Sequence, residues 1–324
     1  MTPIFSIELD GEDITQRIQT RLLSLRIIDK AGKESDSVEL SLDDSNHVIA
    51  LPTTGVKLTV SLGYKETTQS KMGTYVVDEI ELSGPPSSIN IRAKAADMGG
   101  SLKSQRDYSW KDKTIKQVVD EIAKRHDLTA KVSPALQSIH CNHINQTNES
   151  DINFLSRLAQ QFGAIAKPAE GYLLFIQQGE STSVSGQSLK VLDLIPGQVM
   201  NWRVTLADRQ KFNSVAAHYY DLDKAERVKV VAGNEVDSEP ERVLQGDFCN
   251  KQTAEKAADA EFNRLLRSQG TLSLNLLGDP SLLAETPLNL SQFREGVDGK
   301  WVVTQAQHEF SNSGYIVRLD AERV

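Results

Sequence analysis

The stretch GTYVVDEIELSGPPSSINIRAKAADMGGSLKSQRDYSWKDKTIKQVVDEIAKRHDL, residues 73–128, changes its hydrophobic period half-way along. Before Ala96 apolar side chains fall at every second position, as at Ile89, Ile91 and Ala93, which is the spacing that puts one face of a strand against a core. Past Gly100 the period becomes about 3.6: Ile115, Val118, Val119, Ile122 and Ala123 form one helical stripe. Thr114 and Gln117 fit a capping box at its start. A strand-rich segment therefore gives way here to a mixed one.

Reading toward the N-terminus, the period of two persists. IFSIEL (4–9) runs into Asp10-Gly11, a hairpin signal, and is followed by LLSLRI (22–27), with Leu23, Leu25 and Ile27 in alternation. SVELSLDD (37–44) alternates at Val38, Leu40 and Leu42, and VKLTVSL (56–62) at Val56, Leu58, Val60 and Leu62. Short strands separated by Gly, Pro, Asn and Asp clusters predict an antiparallel barrel or sandwich over residues 1–99.

Reading toward the C-terminus, NESDINFLSRLAQQFG (148–163) predicts a second helix capped by Asn148 or Ser150, striped by Leu155, Leu158, Ala159 and Phe162, and ended by Gly163. With the strand GYLLFIQ (171–177), residues 100–180 form a mixed α/β domain. The Gly/Ser-rich GESTSVSGQS (179–188) is the linker candidate. Strands then return in QVMNWRVTL, NSVAAHYYD and RVKVVAG, interrupted by one helix, TAEKAADAEFNRLLRSQG, with Thr253 as its cap. TLSLNLLGDP, PLNLSQF and a closing hairpin (301–310 and 315–324) complete the chain, so residues 181–324 are expected to form a second β-domain carrying an inserted helix. The fold class is α+β, mainly β.

Composition narrows the function. The 324 residues are 39% hydrophobic and 25% charged with mean hydropathy −0.36, enough for two or three domains with real cores. No apolar run approaches the roughly 20 residues that span a bilayer, and MTPIFSIELDGED lacks a secretory layout, so stable membrane insertion is not expected and synthesis in a cytoplasm is. The net charge of −8, from 36 basic and 44 acidic residues, repels polyanions, and specific nucleic-acid binding is not expected.

The densest set of soft ligands is HCNH (140–143). A structural zinc site needs four ligands, usually two spaced pairs, and His126 and Cys249 stand alone, so a buried thiol beside surface histidines is the reading taken and no metal or cofactor is expected. The only cysteines, Cys141 and Cys249, lie far apart in sequence and are read as reduced thiols. G-x-S-x-G, G-x-x-x-x-G-K-[ST] and G-x-G-x-x-G are all absent. The carboxylate pairs Asp43-Asp44, Glu149/Asp151 and Glu239/Glu241 have plain explanations in a turn, a helix's first turn and a polar loop. No catalytic residue is assigned. RDYSW (106–110) places Arg106, Tyr108 and Trp110 on one face of an extended segment, either as an interface or as a Tyr/Trp pair packed on the following helix.

These segments carry a resemblance. The Gly-Thr strand, V-D-x-I-E, S-G-P-P, the A-x-A strand, S-x-K-x-x-R, a Trp and a Thr-opened helix, from Gly73 through His126, resemble the phage late control D protein family of contractile-tail baseplate hubs. The E-S-D-x-x-F-L-x-R-L-A helix (149–159) and the closing hairpin match it further on, in consistent order over most of the chain. The resemblance implies a homotrimer of two β-barrel-like domains per chain, a pseudo-sixfold ring between the sixfold tail tube and the threefold membrane-puncturing spike. It also implies a place in the virion baseplate, a lumen that lets DNA pass, and no enzymatic turnover. The alternatives are the hub of a type VI secretion spike or phage-tail-like bacteriocin, and a tail-associated cell-wall hydrolase.

Overall fold

A computed structural model describes residues 1–32, 34–96, 100–169, 171–179, 189–206, 212–234 and 240–324. Most of the linker candidate 179–188 and Glu239 lie outside the described residues. The chain divides into two compact units: Met1–Met98 with Lys190–Val204 and Leu272–Ala321, and Gly99–Leu189 with Thr205–Thr271 and Glu322–Val324.

The first unit is built on a long sheet. Its order runs Asn201–Leu206, Gly270–Leu277, Gly314–Arg323, Gly299–Ser311, Leu22–Lys30, Ser37–Asp43, Ser88–Ala95, Ser70–Ser83, Lys57–Tyr64, Pro3–Leu9 and Glu12–Asp13. Leu192–Leu194 joins through Pro287–Leu290, which pairs with Gly299–Ser311. This path is open; the described strands do not close a barrel. Alternation places the predicted residues inward: Val38, Leu40, Leu42, Leu58, Val60, Leu62, Ile89, Ile91 and Ala93 are all buried.

One expected inward residue turns out. The register between Leu22–Lys30 and Ser37–Asp43 shifts between Leu22 and Ser24, so Leu22 is buried and Leu23 exposed while Leu25 and Ile27 stay inward. A bulge adds one residue and flips the face, which period alone does not show.

The two compact units are each built from separate stretches of the chain. The C-terminal strand Gly299–Ser311 hydrogen-bonds to Leu22–Lys30, from Gln305 opposite Lys30 to Ser311 opposite Ser24. Leu25 and Ile27 therefore share one core with Trp301, Val303 and Ala306. Residues 205–271, including the inserted helix, belong to the second unit.

His308 lies in this core. Its Nε2–H donates to the Leu282 carbonyl at 2.9 Å, which leaves Nδ1 to accept from the Tyr315 hydroxyl at 2.8 Å, a fully satisfied neutral imidazole. Burial lowers its pKa from 6.5 to about 4. A depressed histidine favours the fold above its unfolded value, and that contribution fades as pH falls from 6.5 toward 4. The first unit should lose about 2 kcal/mol between pH 7.5 and pH 5. Urea titrations at the two pH values check this; equal losses in wild type and His308→Gln would remove the histidine as the cause.

Among its described residues the second unit holds three smaller sheets. Gln105–Thr114 pairs with His140–Ser150; Ala164–Ala169, Tyr172–Gln177 and Thr129–Val132 form a second sheet; Ser214–Asp221, Glu226–Gly233 and Glu241–Phe248 form a third. Helix Ile115–Arg125 begins with the predicted box, Gln117 N–H to Thr114 Oγ1 at 3.3 Å and Thr114 N–H to Gln117 Oε1 at 2.9 Å. Helix Asp151–Gln161 is capped by Ser150. Helix Lys251–Arg267 starts two residues before the expected cap: Asn250 is the N-cap, and Thr253 is its box partner three residues on.

Candidate functional site

The most concentrated polar chemistry gathers on Asp151, the first residue of its helix and wholly buried. Its carboxylate accepts from Arg125 Nη1 at 3.0 and 3.1 Å, from His126 Nε2 at 2.7 Å and from Gln146 Nε2 at 2.8 Å. Arg106 Nε stands 3.2 Å from the same group. Burial pushes this carboxyl up, but the Gln146, His126 and Arg125 hydrogen bonds and the Arg125 charge outweigh it and hold Asp151 below the usual carboxylate range.

Arg106, Tyr108 and Trp110 do share a face, and it leans on this node. Trp110 is 1% exposed, donates from Nε1 to Gln146 Oε1 at 3.3 Å, and stacks on Phe154 with centroids 5.7 Å apart. Tyr108 meets Trp110 edge-on at 4.6 Å, and the Arg125 guanidinium lies over both rings at 5.5 and 5.7 Å. Trp110 thus packs in the core of its unit. Tyr108, 40% exposed and bonded to Glu121 at 3.0 Å, offers surface, as does part of Arg106.

The sequence pattern E-S-D-x-x-F-L-x-R resolves into separate structural tasks. Glu149 holds Arg157 at 2.8 Å, and Arg157 also donates to the Asn145 carbonyl at 2.9 Å. Ser150 caps, Asp151 anchors the node and Phe154 receives Trp110. Ser101, from S-x-K-x-x-R, reaches His126 Nδ1 at 3.0 Å. Ser101, His126 and Asp151 therefore stand in line, and the carboxylate is engaged by two guanidinium groups as well. The arrangement ties separate segments of the second unit together. Sequence reading treated Asp151 as a macrodipole residue; its four partners come from segments whose approach no spacing reveals.

The other candidates are also engaged. His140 Nδ1 is 3.1 Å from Asn142 Oδ1, and His143 Nε2 is 2.8 Å from Asn145 Oδ1. Cys141 is buried, and burial pushes its thiol up to about 12. Among the described residues no three His, Cys, Asp or Glu side chains are grouped to hold a metal ion. Asp43 accepts from Ser45 N–H at 2.9 Å in a turn, and Glu241 pairs with Lys229 at 2.7 Å.

The surface offers a different kind of site. In the first unit the outermost strand of the long sheet begins at Asn201; Met200 just before it and Trp202 on it are 59% and 39% exposed. On the neighbouring strand, held by Met200 N–H to the Asn275 carbonyl at 2.8 Å, Leu277 is 72% exposed. Among the described strands none pairs with the outer side of this one, and such an edge carrying apolar side chains is a template for association with another chain.

Comparison with known proteins bears on what associates. The family described as phage tail baseplate hub (GPD) matches residues 35–314. A probable baseplate hub protein of Escherichia phage 186 is 32% identical over 362 residues, covering 99% of this chain and 93% of its own. Among solved structures, the 43 kDa tail protein of prophage MuSo2 from Shewanella oneidensis superposes with TM-score 0.75 at 17% identity, over 99% of this chain and 98% of that one. An Escherichia coli component of the type VI secretion system gives TM-score 0.56 at 13% identity, over 93% of this chain and 73% of that one.

Proposed function

The chain belongs to the phage tail baseplate hub family and is a structural hub of a contractile phage tail, placed in the baseplate of the virion, and we propose that three copies close into a ring that joins the tail tube to the puncturing spike. In this reading the hub works through interfaces, without turnover, and its partners are two further copies of itself, the spike, the tube and neighbouring baseplate proteins. Two β-rich portions per chain supply the six near-equivalent positions that a threefold ring needs to meet a sixfold tube. DNA passes through the lumen without specific binding, the net charge of −8 disfavouring adhesion.

The observation that carries self-association is the apolar outer edge of the long sheet, with Met200, Trp202 and Leu277 exposed. Arg106 and Tyr108, with Trp110 packed behind them, are proposed as a second contact, toward spike or tube. Light scattering on a sizing column should give about three times 35.8 kDa for the purified chain. Trp202→Asp together with Leu277→Asp should yield a folded species of one-third that mass. A wild-type monomer at all concentrations would mean that closure waits for a partner, and a trimer in the double variant would move the contact elsewhere.

The type VI reading rests on a shared fold. Incorporation into a contractile particle that packages DNA separates the two.

A further inference from the structure

The hub reading leaves the His-Cys segment unexplained, and folding gives Cys141 a neighbour that sequence separation hides. Cys141 is buried and Cys249 exposed, both are free thiols, and both line one cavity of about 290 Å³ in the second unit, with His143, Phe162, Phe248 and Thr253 around them. The Cys249 thiol points at the His143 carbonyl, 3.9 Å away, and the next residue, Asn250, donates from Nδ2 to the His140 carbonyl at 3.3 Å. Residues 249 and 250 therefore grip the strand on both sides of Cys141.

Both partners sit on built elements. Cys141 lies in register opposite Lys113 in a paired strand, and Cys249 immediately precedes the capping box that fixes the start of helix Lys251–Arg267. Burial first, and the neighbouring Cys249 second, disfavour charge on Cys141.

We propose that Cys141 and Cys249 are a thiol pair that closes to an intrachain disulfide in a medium containing low-molecular-weight disulfides. The exposed Cys249 thiolate attacks such a disulfide, forming a mixed disulfide and expelling one thiolate, which takes up a proton. Cys141 then loses its proton and attacks the Cys249 sulfur, expelling the second small thiol. Two protein thiols give up two electrons and two protons, and one small disulfide becomes two thiols. The second step is the slow one, because burial disfavours the Cys141 thiolate, and it speeds up as pH rises.

The bond would join strand His140–Ser150 to the start of helix Lys251–Arg267, linking the core around Trp110 to the core around Val215 within one unit. A cross-link across so long a loop restricts the unfolded chain strongly.

The test is incubation of the native full chain with glutathione disulfide, an acid quench, alkylation, and peptide mapping without reduction. The expected result is a peptide pair joined through Cys141 and Cys249, both thiols lost together, and a melting temperature that rises and returns on treatment with dithiothreitol. Cys249→Ser, at an exposed position, should give neither change. The proposal is overturned if Cys249 stops as a glutathione adduct with Cys141 alkylated only after unfolding. Cross-linking of two chains through Cys249, or two unreacted thiols at pH 8.5, overturns it equally.

Discussion

Asp151→Asn should destabilise the second unit by about 3–5 kcal/mol, the loss found when one member of a buried ion pair is removed and the other is left behind. The substitution keeps the shape of the side chain but replaces acceptor oxygen with an N–H donor where Arg125, His126 and Gln146 all donate. Of its carboxylate partners Arg125 would keep Glu121, at 3.7 Å, and Arg106 would lose its 3.2 Å partner. Against a typical stability of about 5–15 kcal/mol, this brings the unit near its limit. Urea unfolding followed by Trp110 fluorescence measures it, and a loss under about 1 kcal/mol would mean that water solvates the node. Removing Arg125 as well, as in Arg125→Met, should return part of the loss, since the two effects share one contact. Wild type carries a pH signature of the same node. A carboxyl depressed in the folded state stabilises above its ordinary value, and that stability disappears as pH falls through the lower folded one, so acid unfolding should steepen below about pH 4.

Gly278→Ala should cost the first unit about 3 kcal/mol or more, at the upper end of overpacking effects. A methyl group at this position would overlap Cγ and Cδ1 of Tyr315, and the ring cannot simply swing away. Its hydroxyl is bonded to His308, its backbone carbonyl accepts from Gly278 N–H at 2.9 Å, and Tyr64 donates to the Gly278 carbonyl at 2.7 Å. Relief therefore means breaking a buried hydrogen bond or displacing a strand, in an interior with little free volume. Gly197→Ala, where an added methyl meets nothing within 4 Å, is the control and should change stability by less than about 0.5 kcal/mol. Equal effects at the two glycines would remove the ring contact as the cause. Because Tyr315 also satisfies His308, the Gly278 variant should show an altered dependence on pH between 5 and 7.

The sequence was legible where structure is local. Alternation found the inward residues of Ser37–Asp43, Lys57–Tyr64 and Ser88–Ala95, and the Thr114/Gln117 box fixed a helix start to the residue, because both signals act over a few positions. It misled at Leu23, where a bulge flips the face, and at Thr253, whose side chain completes the box that Asn250 begins. The family resemblance also came from local patterns, but those patterns name a family without saying what each residue does. Tyr108 and Trp110 read equally well as an interface or as a pair packed on the following helix until Phe154 and Gln146 were placed around Trp110.

By itself, then, the sequence determined element types, most caps, the mainly β class and the baseplate hub family, since each is written in side-chain period or in short ordered motifs. Tertiary structure alone decided which strands distant in sequence are partners. The pairing of Gly299–Ser311 with Leu22–Lys30, the assembly of the Asp151 node from four segments, and the meeting of Cys141 with Cys249 depend on contacts between residues far apart in the chain. Such contacts leave no local period, because the free energy that selects them comes from burying whole faces and satisfying whole polar groups, and these exist only once the chain has folded.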